Sequence, residues 1–239
     1  TLVLKGASTS RHQDLSGSIY CHRAPFEAGW WPGGASNTGT RAIKSTISSS
    51  NTKELDFDRA DLESAPVEYP LSGRGERFPF VAADAEGFIL NGATVEFESY
   101  RNRFASLALG VAMIERLSFD VVTYAGYEVT DAVRFTGGGS NNHSWNKLRS
   151  TMLNRSALVP YESGSAAGAA ILARAAAEGA DRSNFNEIVS QMATVRAEIE
   201  PDRELFGSLQ DKYKSLVSEL LRRGWISNDL DAYVGRNLE

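Results

Sequence analysis

The chain has 239 residues, 42% of them apolar, and a formal net charge of −5, enough material for the core of one large domain or two small ones. A pI near 5.4 gives no broad basic field, which argues against nucleic acid as a partner. No apolar run approaches the roughly 20 residues that span a bilayer, and residues 1–5 lack a signal peptide's layout, so a soluble, cytoplasmic protein with no membrane contact is expected.

Cys21 is the single cysteine, and His12, His22 and His143 are scattered, so neither a disulfide nor a metal site is expected. The first residue is Thr1, and Leu2-Val3-Leu4 is already apolar; this reads as a chain cut inside or just before a strand, with a part missing upstream.

In chain order, residues 1–5 and 17–22 read as two strands joined into a hairpin by the polar turn 8–16. Trp30-Trp31-Pro32-Gly33-Gly34 breaks that pattern, Ser36 could cap a helix through about residue 48, and 48–61 reads as loop with at most one helical turn. Phe97, Tyr100, Phe104, Leu107, Val111 and Ile114 fall in steps of three and four, which predicts a helix over 94–118.

Residues 129–136 predict a buried strand, followed by three glycines and an amphipathic helix over 144–153. A short strand at 157–159 precedes a helix over 165–177 built almost wholly of small and aliphatic residues, a composition that suggests close packing on a neighbour. Two further helices are predicted, over 185–198 and 202–222, the second with Phe206, Leu209, Tyr213, Leu216 and Leu220 on one face and Gly224 as its stop. Strands alternating with helices make the fold class α/β.

The sharpest local feature is Phe135-Thr136-Gly137-Gly138-Gly139-Ser140-Asn141-Asn142-His143-Ser144-Trp145. Glycines between a strand and a helix permit positive φ and remove Cβ atoms from the path of a ligand, and the helix N-terminus that follows suits a phosphate. The run is not a Walker A loop, because the chain has no Gly-Lys pair, nor the dinucleotide fingerprint, because Asn142 occupies the third glycine position. A plain flexible turn is the competing reading.

Taken with Leu158-Val159-Pro160, Glu162 and Gly164-Ser165-Ala166-Ala167-Gly168-Ala169-Ala170, the glycine run resembles the carboxy-terminal domain of the FGGY carbohydrate kinases. Upstream, Gly75-Glu76-Arg77-Phe78-Pro79 looks like that family's Gly-Glu-Arg-x-Pro loop. The resemblance spans about residues 1–180 and implies a ribonuclease H-like, actin-like ATPase lobe, a mixed sheet flanked by helices. Residues 181–239 would be a helical carboxy-terminal extension packed on it, reaching beyond the usual family end.

The resemblance further implies an ATP-dependent sugar kinase that uses ATP and Mg²⁺ to phosphorylate a pentulose, hexulose or polyol. Its sugar-binding lobe and catalytic base would lie outside this chain, which alone would be inactive; a homodimer is compatible with the family. By position, Gly137, Gly138, Gly139, Asn142 and Trp145 would contact ATP or ADP. For Trp145 a core position in its helix, and for Asn142 simple helix capping, stand as alternatives. Gly75, Glu76 and Arg77 form a candidate phosphate or cleft loop, with Glu76 and Arg77 bracing that loop as the structural alternative. A nucleotide-binding module of the same fold that acts as sensor or scaffold is the rival function, and a purely structural α/β domain the third.

Overall fold

The computed structural model describes residues 1–12, 14, 16–47, 56–90, 97 and 99–237. Three sheets and a set of helices are arranged around one long buried helix. The first sheet contains β1 (Leu2–Lys5), β2 (Tyr20–Arg23) and β3 (Trp30–Ser36) in the order β1-β3-β2, all antiparallel.

This corrects the expected hairpin: β1 and β2 do not pair with each other, because β3 lies between them. The Trp-Trp-Pro-Gly-Gly run is therefore a strand and not a break. Pro32 lies opposite Gly6, past the end of β1; its carbonyl accepts the Gly6 N–H, and its missing N–H removes the return bond, which interrupts the ladder there. Ser36 caps no helix; α1 (Thr40–Thr46) begins after Gly39, and Ser36 is buried with its hydroxyl donating to Glu76 Oε2 at 2.7 Å. The expected loop 48–61 falls in large part outside the described residues; its described end holds Asp58, which caps α2 (Arg59–Ser64) through a reciprocal pair with Asp61.

The second sheet is the antiparallel pair β4 (Glu68–Glu76) and β5 (Ala82–Ile89). Helix α3 (Tyr100–Tyr124) packs across it so closely that a Cβ on Gly110 would stand 2.5 Å from the Glu68 carbonyl oxygen. All positions from Phe104 to Ser118 are buried, so α3 is an internal helix surrounded by protein on every side. Its bounds differ from the expected 94–118. Ser99 accepts from Asn102 N–H and sets the start, while Phe119, Val121 and Val122 carry the apolar pattern on until Gly126 turns the chain. Residues 94–96 lie outside the described residues.

The third sheet has β6 (Ala132–Arg134) parallel to β7 (Ser156–Pro160), and β7 antiparallel to β8 (Val195–Ile199). Helix α4 (His143–Leu153) connects β6 to β7, and α5 (Ser165–Ala177) and α6 (Phe185–Met192) follow. The helix expected over 185–198 thus ends at Met192, and its second half is a strand. Val195 and Ile199 are β-branched, and the open side of β7 supplies backbone partners that a continued helix would leave unmet. The packing expected of α5 is also corrected, since of its 13 residues Ala175 alone is buried.

Helix α7 (Arg203–Arg222), capped by Asp202, and α8 (Asn228–Arg236), capped by Ser227, close the chain. Leu209, Tyr213, Leu216 and Leu220 enter the main apolar cluster with the α3 side chains, and Trp225 stacks on Phe80 at 5.9 Å. Within the described residues no helix is long and apolar enough to cross a membrane.

Candidate functional site

β6 runs parallel to β7, and the chain leaves β6 through Phe135, whose N–H donates to Leu158 O at 3.0 Å. It then turns at Gly137, which has φ +78° and donates its N–H to Ser163 O at 2.9 Å. That bond fastens the glycine turn to the loop that leads into α5. Gly138–Asn141 is one turn of tight helix, closed by Ser140 Oγ on the Gly137 carbonyl at 2.7 Å.

The three glycines differ in what they permit. A Cβ on Gly137 or Gly138 would meet nothing within 4 Å, so their backbone faces open space. A Cβ on Gly139 would stand 3.1 Å from Trp145 Cζ3, so Gly139 lets the indole approach the turn.

Asn142 N-caps α4, its Oδ1 accepting from Trp145 N–H at 2.8 Å. Asn146 Nδ2 donates to Ser140 O at 2.7 Å and ties the helix back to the turn. Ser144 Oγ donates to Asp56, which holds that carboxylate below its ordinary range. Trp145 is 6% exposed, lies edge-on to Phe104 at 6.4 Å, and has a buried Nε1 with no hydrogen-bond partner among the described residues. One turn further on, the Arg149 guanidinium lies 3.7 Å from the centre of the Phe135 ring and makes a bidentate pair with Glu115 of α3, both bonds 2.6 Å.

These groups border a cavity of about 960 Å³ between β1 and β6. Gly137, Gly138, Gly139 and Trp145 line it, whereas Asn142 does not and serves as a cap. Gly75, Glu76 and Arg77 are not part of this lining. Glu76 is buried and accepts from Ser36 Oγ, Tyr69 Oη, Asn37 N–H and Arg77 N–H at 2.7–2.9 Å, while Arg77 Nε donates to Ala35 O. Both side chains hold the end of β4 against β3.

The same cavity contains Glu162 and Gly164 of the motif before α5, and residues that sequence reasoning passed over: Gly6, Ala7 and Ser8 at the exit of β1, Ser163, and the Glu115–Arg149 pair. Gly6-Ala7-Ser8 carried a signal, small residues at a strand exit, that the larger glycine run obscured. The Glu115–Arg149 pair bridges two helices 34 residues apart and left no local trace.

A family model of the C-terminal domain of the FGGY carbohydrate kinases matches residues 34–177. The chain belongs to this family. Among solved structures, a xylulose kinase from Brucella ovis superposes with a TM-score of 0.75 at 25% identity, over 93% of this chain and 46% of that one. A xylulose kinase from Lactobacillus acidophilus gives 0.72 at 18% identity, over 92% and 45%. A glycerol kinase from Plasmodium falciparum, solved with ADP, gives 0.55 at 18% identity, over 83% and 39%. The chain therefore spans less than half the length of these kinases, and it has their mixed α/β, ribonuclease H-like architecture.

Proposed function

We propose that residues 1–239 are the nucleotide-binding half of an FGGY carbohydrate kinase, holding ATP while its γ-phosphoryl group passes to a hydroxyl of a pentulose, hexulose or polyol. The observation that carries this reading is the open backbone of Gly137 and Gly138 at the cavity wall, directly before the N-terminal end of α4. Phosphoryl transfer needs positioning and charge neutralisation more than covalent chemistry. A glycine backbone that a phosphate or ribose can approach, next to a helix N-terminus, supplies both.

In this reading Trp145 forms the wall beyond Gly139, where its buried indole gives the adenine a fixed apolar surface, and Asn142 holds that wall in place as the cap of α4. Glu76 and Arg77 keep the bracing role that their contacts describe. Among the described residues no three acidic, histidine or cysteine side chains are placed to hold a metal ion, so in this reading Mg²⁺ would come with the nucleotide phosphates. The acceptor sugar and the base that takes its proton belong to polypeptide outside residues 1–239. The 25% identity to a xylulose kinase makes a pentulose the first substrate to assay.

The test is Gly138→Val in the complete enzyme. A branched side chain there would fill the space proposed for the nucleotide, and its Cβ would meet no protein atom within 4 Å. We expect kcat/KM for ATP to fall by roughly 100-fold or more, about 2.7 kcal/mol of transition-state stabilisation, with an unchanged circular dichroism melt. An unaltered kcat/KM in a folded variant would remove the nucleotide from this turn.

A further inference from the structure

β8 ends the third sheet, with β7 on one side and no described strand on the other. Which of its backbone groups face outward follows from the neighbouring bonds. Leu158 O accepts from Phe135 N–H, so Leu158 directs its backbone to β6, and Ala157 and Val159 direct theirs to β8. Their partners there are Ile199 and Ala197. The N–H and C=O groups of Arg196 and Glu198 therefore point away from β7, along the open edge. The register shift against β7 falls between Ala197 and Val195, and Val195–Ile199 remains a strand through it.

The side chains on this edge complement their own copy. Ala197 and Ile199 turn to the apolar cluster of Val133, Phe135 and Ala157, which leaves Arg196 and Glu198 together on the opposite face. Both are exposed, and neither makes an ion pair among the described residues. An edge guarded by like charges repels a second copy. A cation and an anion two positions apart do the reverse, because an antiparallel copy centred on the residue between them sets each charge against its opposite. Centring on Arg196 or on Glu198 instead would set like charges face to face. The register centred on Ala197 also brings the exposed Val195 opposite Ile199 of the second copy.

We infer that β8 pairs antiparallel with the β8 of a second copy of this chain, about a twofold axis at Ala197, so that the third sheet runs on from one copy into the other. In this register Arg196 exchanges both backbone bonds with Glu198 of the second copy, Glu198 does the same with Arg196 of the second copy, and each guanidinium lies beside a carboxylate on the outer face. The contact is isologous and occupies β8 in both copies, so assembly stops at a dimer.

Sedimentation of the complete kinase over a range of concentrations, with its charge variants, tests this. The parent should be a dimer. Arg196→Glu and Glu198→Arg each set like charges opposite one another at both contacts, and should raise the dissociation constant roughly tenfold or more. The double variant Arg196→Glu/Glu198→Arg, and an equimolar mixture of the two single variants, restore opposite charges and should dimerise as the parent does. Amide exchange supplies the backbone readout: Ala197 and Ile199 should stay slow in every variant, while Arg196 and Glu198 should be slow in the dimers and fast in the monomers. Single variants that dimerise as tightly as the parent, a double variant as weak as the single ones, or a dimer in which the Arg196 and Glu198 amides exchange fast would overturn the inference. So would a monomeric parent, whether those amides exchange fast, which leaves the edge open, or slowly, which assigns it to polypeptide outside residues 1–239. No nucleotide enters the measurement, so its outcome is independent of the proposed function.

Discussion

The Trp145 indole packs closely on Gly139: a Cβ there would lie a tight 3.1 Å from Cζ3 of the ring. The tryptophan is thereby both a core residue, edge-on to Phe104, and a wall of the cavity. Two sequence readings of Trp145, core and pocket, are compatible in one side chain. Trp145→Ala should cost about 3–5 kcal/mol in urea unfolding, as for a buried large aromatic. Trp145→Phe should keep most of that stability while weakening ADP binding. Equal affinity in Trp145→Phe and the parent would leave the indole a purely structural role.

Glu76 offers a second test, because four donors converge on its carboxylate. Glu76→Gln replaces one acceptor oxygen by a donating NH2 group among those donors, and should destabilise the fold by about 1–3 kcal/mol. Tyr69→Phe, which removes a single donor, should cost less. If Glu76→Gln instead leaves the urea midpoint in place but abolishes ADP binding, the loop contacts the nucleotide directly.

A third expectation concerns pH. Arg222 makes two bonds of 2.6 Å to Glu219, and Arg223 adds a third at 2.8 Å, which together hold this carboxyl down to about 2. A folded-state pKa below the unfolded one means a stabilisation present above the unfolded value of about 4.5 and lost as pH falls toward about 2. The melting-temperature gap between the parent and Glu219→Gln should therefore be constant above pH 5 and close between pH 4.5 and 2. A gap independent of pH across that window would show that the charge contributes nothing.

How far the sequence carried these results varied with the physics behind each element. The bounds of α5 were legible because an alanine-rich run with Leu172 and Arg174 lies between Gly164 and Gly179, but its exposure was not, since alanine fits a surface as well as a core. β8 was misread as helix because the period-two alternation Val195-Arg196-Ala197-Glu198-Ile199 is only five residues long and follows closely on helical residues; pairing with β7, over 30 residues away, decides its state. Gly75-Glu76-Arg77 was read as a loop, whereas pairing with β5 makes Gly75 and Glu76 the end of strand β4, a pairing that leaves no local trace in a segment holding Pro70, Gly73 and Gly75. At the site, the glycine run was legible as a strand-to-helix turn from its residues, and Trp145 entered through the family resemblance. The capping of Asn142, a contact three residues long, was among the sequence readings, whereas the burial of Glu76 and the part of β1 in the cavity depend on contacts across the fold.

The central claim is that the glycine turn before α4 faces the nucleotide. Titrating ADP into the isotope-labelled 239-residue chain and following its amide signals tests this most directly. The account predicts weak but saturable shifts concentrated at Gly137, Gly138, Gly139 and the first turn of α4, and their loss in Gly138→Val with the remaining spectrum unchanged. Saturable shifts confined to the opposite groove, around Ser45, Arg103 and Arg222, with Gly137–Gly139 silent, would contradict it.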